Sequence, residues 1–292
     1  MGRVLLTGAS GFVGRQISKA LGAAGHEVVE VRRDTPATAE GGGTVISTDD
    51  IFGESDRRYR DMLTGIGAVV HAAWYVTPGT YLSSRKNLDC LTGTVRLAQA
   101  AIEMGVKRFV GVGTCFEFDL NAAQTTPFEP IEPDAPLRPD TLYGAAKAAT
   151  FLALDRAFRD TDTRFAWCRL FYLYGEGEDE RRLLPYVLEA LRQSEPAELT
   201  AGTQLRDFLD VSEAGARIAA VVDTDYQGSV NVCSGRPISV RDFILSQIPP
   251  NLDTSLLKFG ARAMRSDEHA CVVGRPGGLD FGKTQEDQNG SA

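Results

Sequence analysis

The sequence predicts an α/β fold on a doubly wound parallel sheet with a smaller C-terminal subdomain, and three observations carry that prediction. A short apolar run, Arg3-Val4-Leu5-Leu6-Thr7, leads into a glycine-rich turn and then an amphipathic stretch from Gly14 to Ala24, ending near Gly25. Further apolar runs at Val28 to Val31, Ala68 to Ala72, Arg108 to Val112 and Phe165 to Phe171 alternate with helical patterns, of which Leu88 to Met104 is the clearest. Strands alternating with helices give βαβ units with right-handed crossovers, hence a parallel sheet. Past about residue 175 the alternation loosens into a charged loop, a helix over Leu183 to Arg192 and short strands at Asn231 to Cys233 and Ile238 to Val240.

These patterns divide the chain into residues 1–174, a first unit, and residues 175–282, a subdomain interleaved with it. Residues 283–292 read as an untethered, disordered tail. A chain of 292 residues, 43% hydrophobic and 24% charged, can bury one large core with a subdomain appended. Its net charge of -8 opposes the counterion-release term that drives nucleic-acid binding, so small molecules are the expected partners. Five cysteines without a CxxC spacing argue against disulfides and zinc, and three dispersed histidines against any metal cluster. No leader or membrane segment precedes the first strand, which predicts a cytoplasmic protein with no membrane partner.

Thr7-Gly8-Ala9-Ser10-Gly11-Phe12-Val13-Gly14 places glycines with GxxGxxG spacing between a strand and a helix. Gly8 serves the tight turn, Gly11 the approach of backbone to a pyrophosphate, and Gly14 the close packing of helix on strand, while the helix N-terminus offers free N–H groups. That is a Rossmann-type dinucleotide site, and Ser10, Phe12 and Val13 belong to the same loop. The second strand, which in such folds reads the adenosine ribose, ends Val31-Arg32-Arg33-Asp34. Arg32 and Arg33 could clamp a 2′-phosphate, so NADP(H) is preferred, with NAD(H) open through Asp34.

Tyr143 and Lys147 stand four residues apart, on one helix face. A free phenol is a poor acid-base group at neutral pH, and a nearby ammonium is expected to lower its pKa. Thr114 closes the strand before them and can hydrogen-bond a carbonyl. Trp74 and Tyr75 either line a pocket or belong to the core.

With these motifs in this order, the chain resembles the extended short-chain dehydrogenases/reductases, the nucleotide-sugar epimerase/dehydratase/reductase family, over nearly its whole length. Supporting stretches are Asp50-Ile51, where the family contacts adenine, His71-Ala72-Ala73, Gly93-Thr94, Ile131 to Pro139, Arg169 to Gly175 and Arg206 to Val211. The resemblance implies that Tyr143 is the acid-base group, that Lys147 holds the nicotinamide ribose, and that Thr114 polarises the substrate carbonyl. It further implies that Ala72, Ala73, Cys90 and Leu170 border the cofactor, and that Tyr172 and Arg206 face a nucleotide-activated sugar. For Arg206, an ion pair with Asp207 or Asp210 is the competing reading.

The chain departs from the family pattern at several points. Dehydratases carry an Asp-Glu pair after the catalytic Thr, where this chain has Cys115 and Phe116. Elimination of water is therefore disfavoured, and Glu117, one position on, is expected to pair with a surface cation. Cys90 and Tyr172 each stand where the family often has Asn. The expected function is NADPH-dependent reduction of a 4-keto sugar nucleotide. An NAD-dependent epimerase, a reductase of a non-sugar ketone and a non-catalytic dinucleotide sensor stay open, as does a homodimer. Gly277 to Thr284 fits GxxxxGK[ST], but only Gln285 to Ala292 follows it, which is too little chain for a phosphate-binding loop to open a helix and sheet.

Overall fold

The computed structural model describes residues 2–33, 43–121, 129–265 and 268–277. Asp34, the Gly277 to Thr284 pattern beyond its first residue and the tail at 283–292 lie outside the described residues. The strands are β1 Arg3–Thr7, β2 Glu27–Arg32, β3 Thr44–Ser47, β4 Ala68–His71, β5 Arg108–Thr114, β6 Arg164–Leu170 and β7 Tyr172–Tyr174. They continue with β8 Ala197–Leu199, β9 Leu205–Arg206, β10 Phe208–Asp210, β11 Gly228–Val232, β12 Ile238–Ser239, β13 Leu257–Phe259 and β14 Cys271–Val272. The helices are α1 Phe12–Ala23, α2 Asp56–Leu63, α3 Lys86–Glu103, α4 Leu142–Phe158, α5 Leu183–Arg192, α6 Val211–Val222 and α7 Val240–Gln247.

Seven strands form the main sheet in the order β11-β6-β5-β4-β1-β2-β3, with every neighbouring pair parallel. The order reverses between β1 and β4. In an open α/β sheet a ligand binds at such a switch point, beyond the carboxyl ends of the strands. Parallel strands buried on both faces should be apolar throughout, and β4 and β5 are buried at every position. One face packs against α1 and α6 around Ile17, Leu21, Ile218 and Val221. The other packs against α2, α3 and α4 around Tyr59, Leu97, Phe109, Leu154 and Trp167.

Chain order and spatial order diverge after β6. The run expected as one strand to Phe171 breaks there. Phe171 still bonds Val232 of β11, whereas the Tyr172 N–H is donated to Asp207 O at 3.1 Å and β7 pairs with β10 in a separate two-stranded sheet. α6 and β11 then return to the main sheet, so part of the chain after residue 175 is built into the first unit. The remainder forms its own small core of Val187, Leu191, Leu199, Val240 and Ile244. Ile238 to Val240 ends as a strand at Ser239, because the Ser239 hydroxyl accepts the Asp242 N–H at 3.0 Å and caps α7. Among the described residues no helix is long and apolar enough to cross a membrane.

Candidate active site

A cavity of about 1180 Å³ opens at the switch point, bounded by the ends of β1, β2, β4 and β5 and by the start of α4. Gly8 sits at φ +75°, and a Cβ there would stand 2.7 Å from the Ala73 backbone nitrogen. At Gly14 a Cβ would stand 1.9 Å from the Gly8 carbonyl oxygen. Both positions exclude any side chain for reasons of backbone approach alone. Gly11 is the N-cap of α1 and makes no side-chain cap, and the first turn, Phe12, Val13 and Gly14, borders the cavity, where uncapped N–H groups can receive an anion.

Behind the loop, His71 is 2% exposed and bridges two hydroxyls, Nδ1 to Thr7 Oγ1 at 2.8 Å and Nε2 to Thr94 Oγ1 at 2.9 Å. Thr94 in turn donates to Cys90 O at 2.7 Å. This buttress joins β1, β4 and α3 beneath the cavity floor. Burial, and secondarily Lys147, push the His71 pKa down to about 3, so the ring is neutral.

The cavity wall contains Gly8, Ser10, Gly11, Phe12, Val13, Gly14, Arg32, Arg33, Asp50, Ile51, Ala72, Ala73, Cys90, Tyr143, Lys147 and Leu170, together with Trp74 and Thr114. Trp74 therefore faces the cavity. Its Nε1 donates to Asn87 Oδ1 at 2.8 Å, and its ring carries the Lys147 ammonium 3.8 Å from the centroid.

Thr114 ends β5. Its hydroxyl accepts the Phe116 N–H at 3.3 Å and hydrogen-bonds the Tyr143 phenol, and its N–H is donated to Glu117 Oε1 at 2.8 Å. Tyr143 opens α4, is capped through Thr141, and donates its backbone N–H to Leu82 O at 3.0 Å. One turn on, Lys147 Nζ donates to Val112 O at 2.5 Å. Burial pushes the Lys147 ammonium down to about 7, against the opposing pull of Glu117 and Cys90. Burial pushes the Tyr143 phenol up, aided by Tyr81, with a Thr114 hydrogen bond acting the other way. Lys147 does not figure among the influences on the phenol, so the lowering expected from it is not seen, and the phenol keeps its proton at neutral pH.

Two expectations are corrected. Glu117 is not at the surface: it is fully buried and accepts from Arg169 Nε at 2.6 Å and from Trp167 Nε1 at 3.0 Å, besides Thr114 N. A carboxylate so enclosed needs several donors to offset its lost hydration, and these are its donors. Arg206 pairs with neither Asp207 nor Asp210. Asp207 is engaged by Ser234, Gly235 and Gly274, and Asp210 caps α6 through Ser212. Arg206, 3% exposed, pairs with Glu268 and lies 5.3 Å over the Tyr172 ring. Tyr172 packs edge-on against Phe116 at 6.4 Å, and it is Phe116 that borders the cavity. Neither Tyr172 nor Arg206 is among the residues that line this cavity; Arg206 lies on β9, flanked by β12 and β14.

Sequence reading missed Tyr81, whose ring meets Tyr143 edge-on at 5.0 Å, and Arg181 and Arg182, which line the cavity from the loop before α5. Tyr81 lies between β4 and α3 with no local motif around it. The Arg181-Arg182 pair preceding the Leu183 helix was a visible signal.

The family model described as the NAD dependent epimerase/dehydratase family matches residues 4–233. A dTDP-6-deoxy-L-talose 4-dehydrogenase (NAD(+)) of Aggregatibacter actinomycetemcomitans is 26% identical over 82% of this chain and 86% of its own. A dTDP-6-deoxy-L-talose 4-dehydrogenase (NAD(P)(+)) of Kitasatospora kifunensis is 28% identical over 83% of this chain and 77% of its own. Among solved structures, MoeE5 in complex with UDP-glucuronic acid and NAD superposes with a TM-score of 0.75, at 26% identity, over 94% of this chain and 90% of that one.

Proposed function

The chain belongs to the NAD dependent epimerase/dehydratase family, and on that premise we propose that it reduces the 4-keto group of a nucleotide-activated sugar, using NADP(H) in preference to NAD(H). The dinucleotide fits the cavity on two observations, the cradle at Gly8 and Gly14 that any Cβ would fill and the uncapped N-terminus of α1. Gly8, Ser10, Gly11, Phe12, Val13 and Gly14 would hold its pyrophosphate, Arg32 and Arg33 its ribose 2′-phosphate, Asp50 and Ile51 its adenine. Ala72, Ala73, Cys90, Leu170, Tyr143 and Lys147 would border its nicotinamide half. When bound, the reduced nicotinamide supplies hydride to the carbonyl carbon.

The remaining chemistry belongs to the chain. Thr114 directs its hydroxyl proton at the carbonyl oxygen. Tyr143, a neutral phenol, delivers its proton to that oxygen as charge develops there. Lys147, when protonated, supplies positive charge to the same corner and offsets the phenolate left behind. Trp74 and Phe116 exclude water from the sugar side.

The observation that carries this reading is that, among the described residues, the positions after Thr114 offer no carboxyl pair free to act as acid and base. Cys115 and Phe116 occupy the positions where elimination needs a carboxyl pair, burial pushes the Cys115 thiol up to about 12, and Glu117 spends its oxygens on Thr114, Trp167 and Arg169. Two similar relatives are named for oxidation at carbon 4 of a 6-deoxyhexose on dTDP, the reverse of such a reduction. The test supplies dTDP-, UDP- and CDP-linked 4-keto-6-deoxy sugars with NADPH or NADH. The expected result is consumption of NADPH in step with ketone, faster than NADH. Interconversion of hexose epimers without net loss of reduced nucleotide would replace the reading with an epimerase.

A further inference from the structure

On β2, Glu30 and Arg32 are two residues apart and share the sheet face that looks toward α1, since side chains alternate along a strand. Val29 and Val31 point to the opposite face, into the core around Tyr59. Glu30 is 4% exposed. Its Oε1 accepts the Ser18 hydroxyl of α1 at 2.5 Å, and its Oε2 lies 2.5 Å from Arg32 Nη2. An apolar residue would be expected at this depth, because Val28, on the same face, packs against the core of Ile17 and Leu21. A buried carboxylate is costly and calls for a reason.

Glu30 itself does not border the cavity, so it is not placed to read a ribose hydroxyl; its Oε1 is taken by Ser18, and its Oε2 meets Arg32 as a close charge contact without a well-formed hydrogen bond. Its evident effect is on Arg32, whose guanidinium borders the cavity. Among the described residues, Arg32 Nε is buried and has no hydrogen-bond partner, a donor left over where a ligand oxygen would satisfy it.

We propose that Glu30 is a specificity-determining residue that sets the balance between NADP(H) and NAD(H). The inference rests on the proposed placement of the adenosine ribose at Arg32. Glu30 holds the guanidinium at the wall and cancels most of its charge locally. A 2′-phosphate carries up to about two negative charges and a ribose hydroxyl carries none. The Glu30 charge therefore weakens the phosphorylated cofactor alone and leaves the chain able to accept both.

The test is direct binding of NADP⁺ and NAD⁺ to the full chain by titration calorimetry, without any sugar substrate. Glu30→Gln removes the charge and keeps the shape. It raises the NADP⁺:NAD⁺ affinity ratio about tenfold through NADP⁺ alone, as expected for one charge removed at short range under partial screening. Glu30→Asp retracts the carboxylate from Arg32 while keeping the charge near Ser18, and moves the ratio the same way by about threefold. Should Glu30→Gln not fold, the Asp variant decides alone. A ratio unmoved in the variants that fold, or shifted toward NAD⁺, overturns the proposal. Arg32→Ala separates the two levels of the argument: if it collapses the ratio while the Glu30 variants do nothing, only the role of Glu30 falls. If it too leaves the ratio unchanged, the placement of the ribose at Arg32 falls with it.

Discussion

The two ends of the cavity differ in what builds them. At the dinucleotide end, the wall is made by backbone: Gly8, Gly11 and Gly14 succeed one another within one turn and one helix start, and the sequence there states its own geometry. At the proposed sugar end, the wall is made by side chains that other side chains hold in place: Trp74 is held by Asn87, and Thr114 by Glu117, which Arg169 and Trp167 fix from some fifty positions away. A backbone-built site is legible from local spacing, whereas one built by long-range pairing shows its residue types and hides their direction.

The contrast is broken most severely at the backbone. Gly14→Ala places a methyl group against the Gly8 carbonyl, where neither side can yield. It should cost about 3 kcal/mol of stability and lower nucleotide affinity by more than about a hundredfold; thermal melts and calorimetry check both. A stable Gly14→Ala protein with ordinary affinity would mean the cradle is looser than its backbone contacts indicate.

Next in size is the buried pair at the sugar end. Glu117→Gln leaves Arg169 charged and enclosed, and should cost about 3 kcal/mol. In protein that still folds it should lower kcat more than it raises KM, because the single amide oxygen cannot serve the donors of Thr114, Trp167 and Arg169 together and the Thr114 anchor loosens while the cavity wall stays. Denaturant melts and steady-state kinetics separate these effects.

The buttress beneath both ends makes a pH prediction. His71 has its pKa held down to about 3 in the folded chain, against an ordinary value of about 6.5 in the unfolded one. Below about 6.5 the unfolded chain takes up a proton that the folded chain refuses. Stability is therefore lost as pH falls from about 6.5 toward 3, by about 2 kcal/mol at pH 5 from this group. Urea melts of the wild type and of His71→Gln at neutral and acid pH should show a flatter profile in the variant over that window.

The smallest expected effect sharpens the comparison at Arg206. Because Arg206 does not line the cavity, Arg206→Met should change KM for the nucleotide sugar by less than about threefold, with its cost falling on stability. A KM raised about fiftyfold in stably folded protein would put the guanidinium on substrate phosphate and move it back to the wall.

These differences account for what could be read beforehand. The sheet, α1 and the Tyr143/Lys147 helix followed from periodicity and from glycine spacing, which act over a few residues. The end of the β6 run at Phe171 did not, because that break is where the chain leaves one sheet for another, and apolarity is the same on both sides. Glu117 looked like a surface residue because nothing near it in sequence announces Trp167 and Arg169 some fifty positions away. The pKa of Tyr143 is hidden for the same reason: the spacing reveals Lys147 as a neighbour, and only the fold reveals how deeply the phenol is buried.

The reductase reading stands most directly on the Tyr143 proton. The decisive measurement is the rate of NADPH consumption with a 4-keto sugar nucleotide by wild type and by Tyr143→Phe, alongside nucleotide binding to each. The account predicts turnover reduced by about a hundredfold or more with binding unchanged. Undiminished turnover in Tyr143→Phe would contradict it.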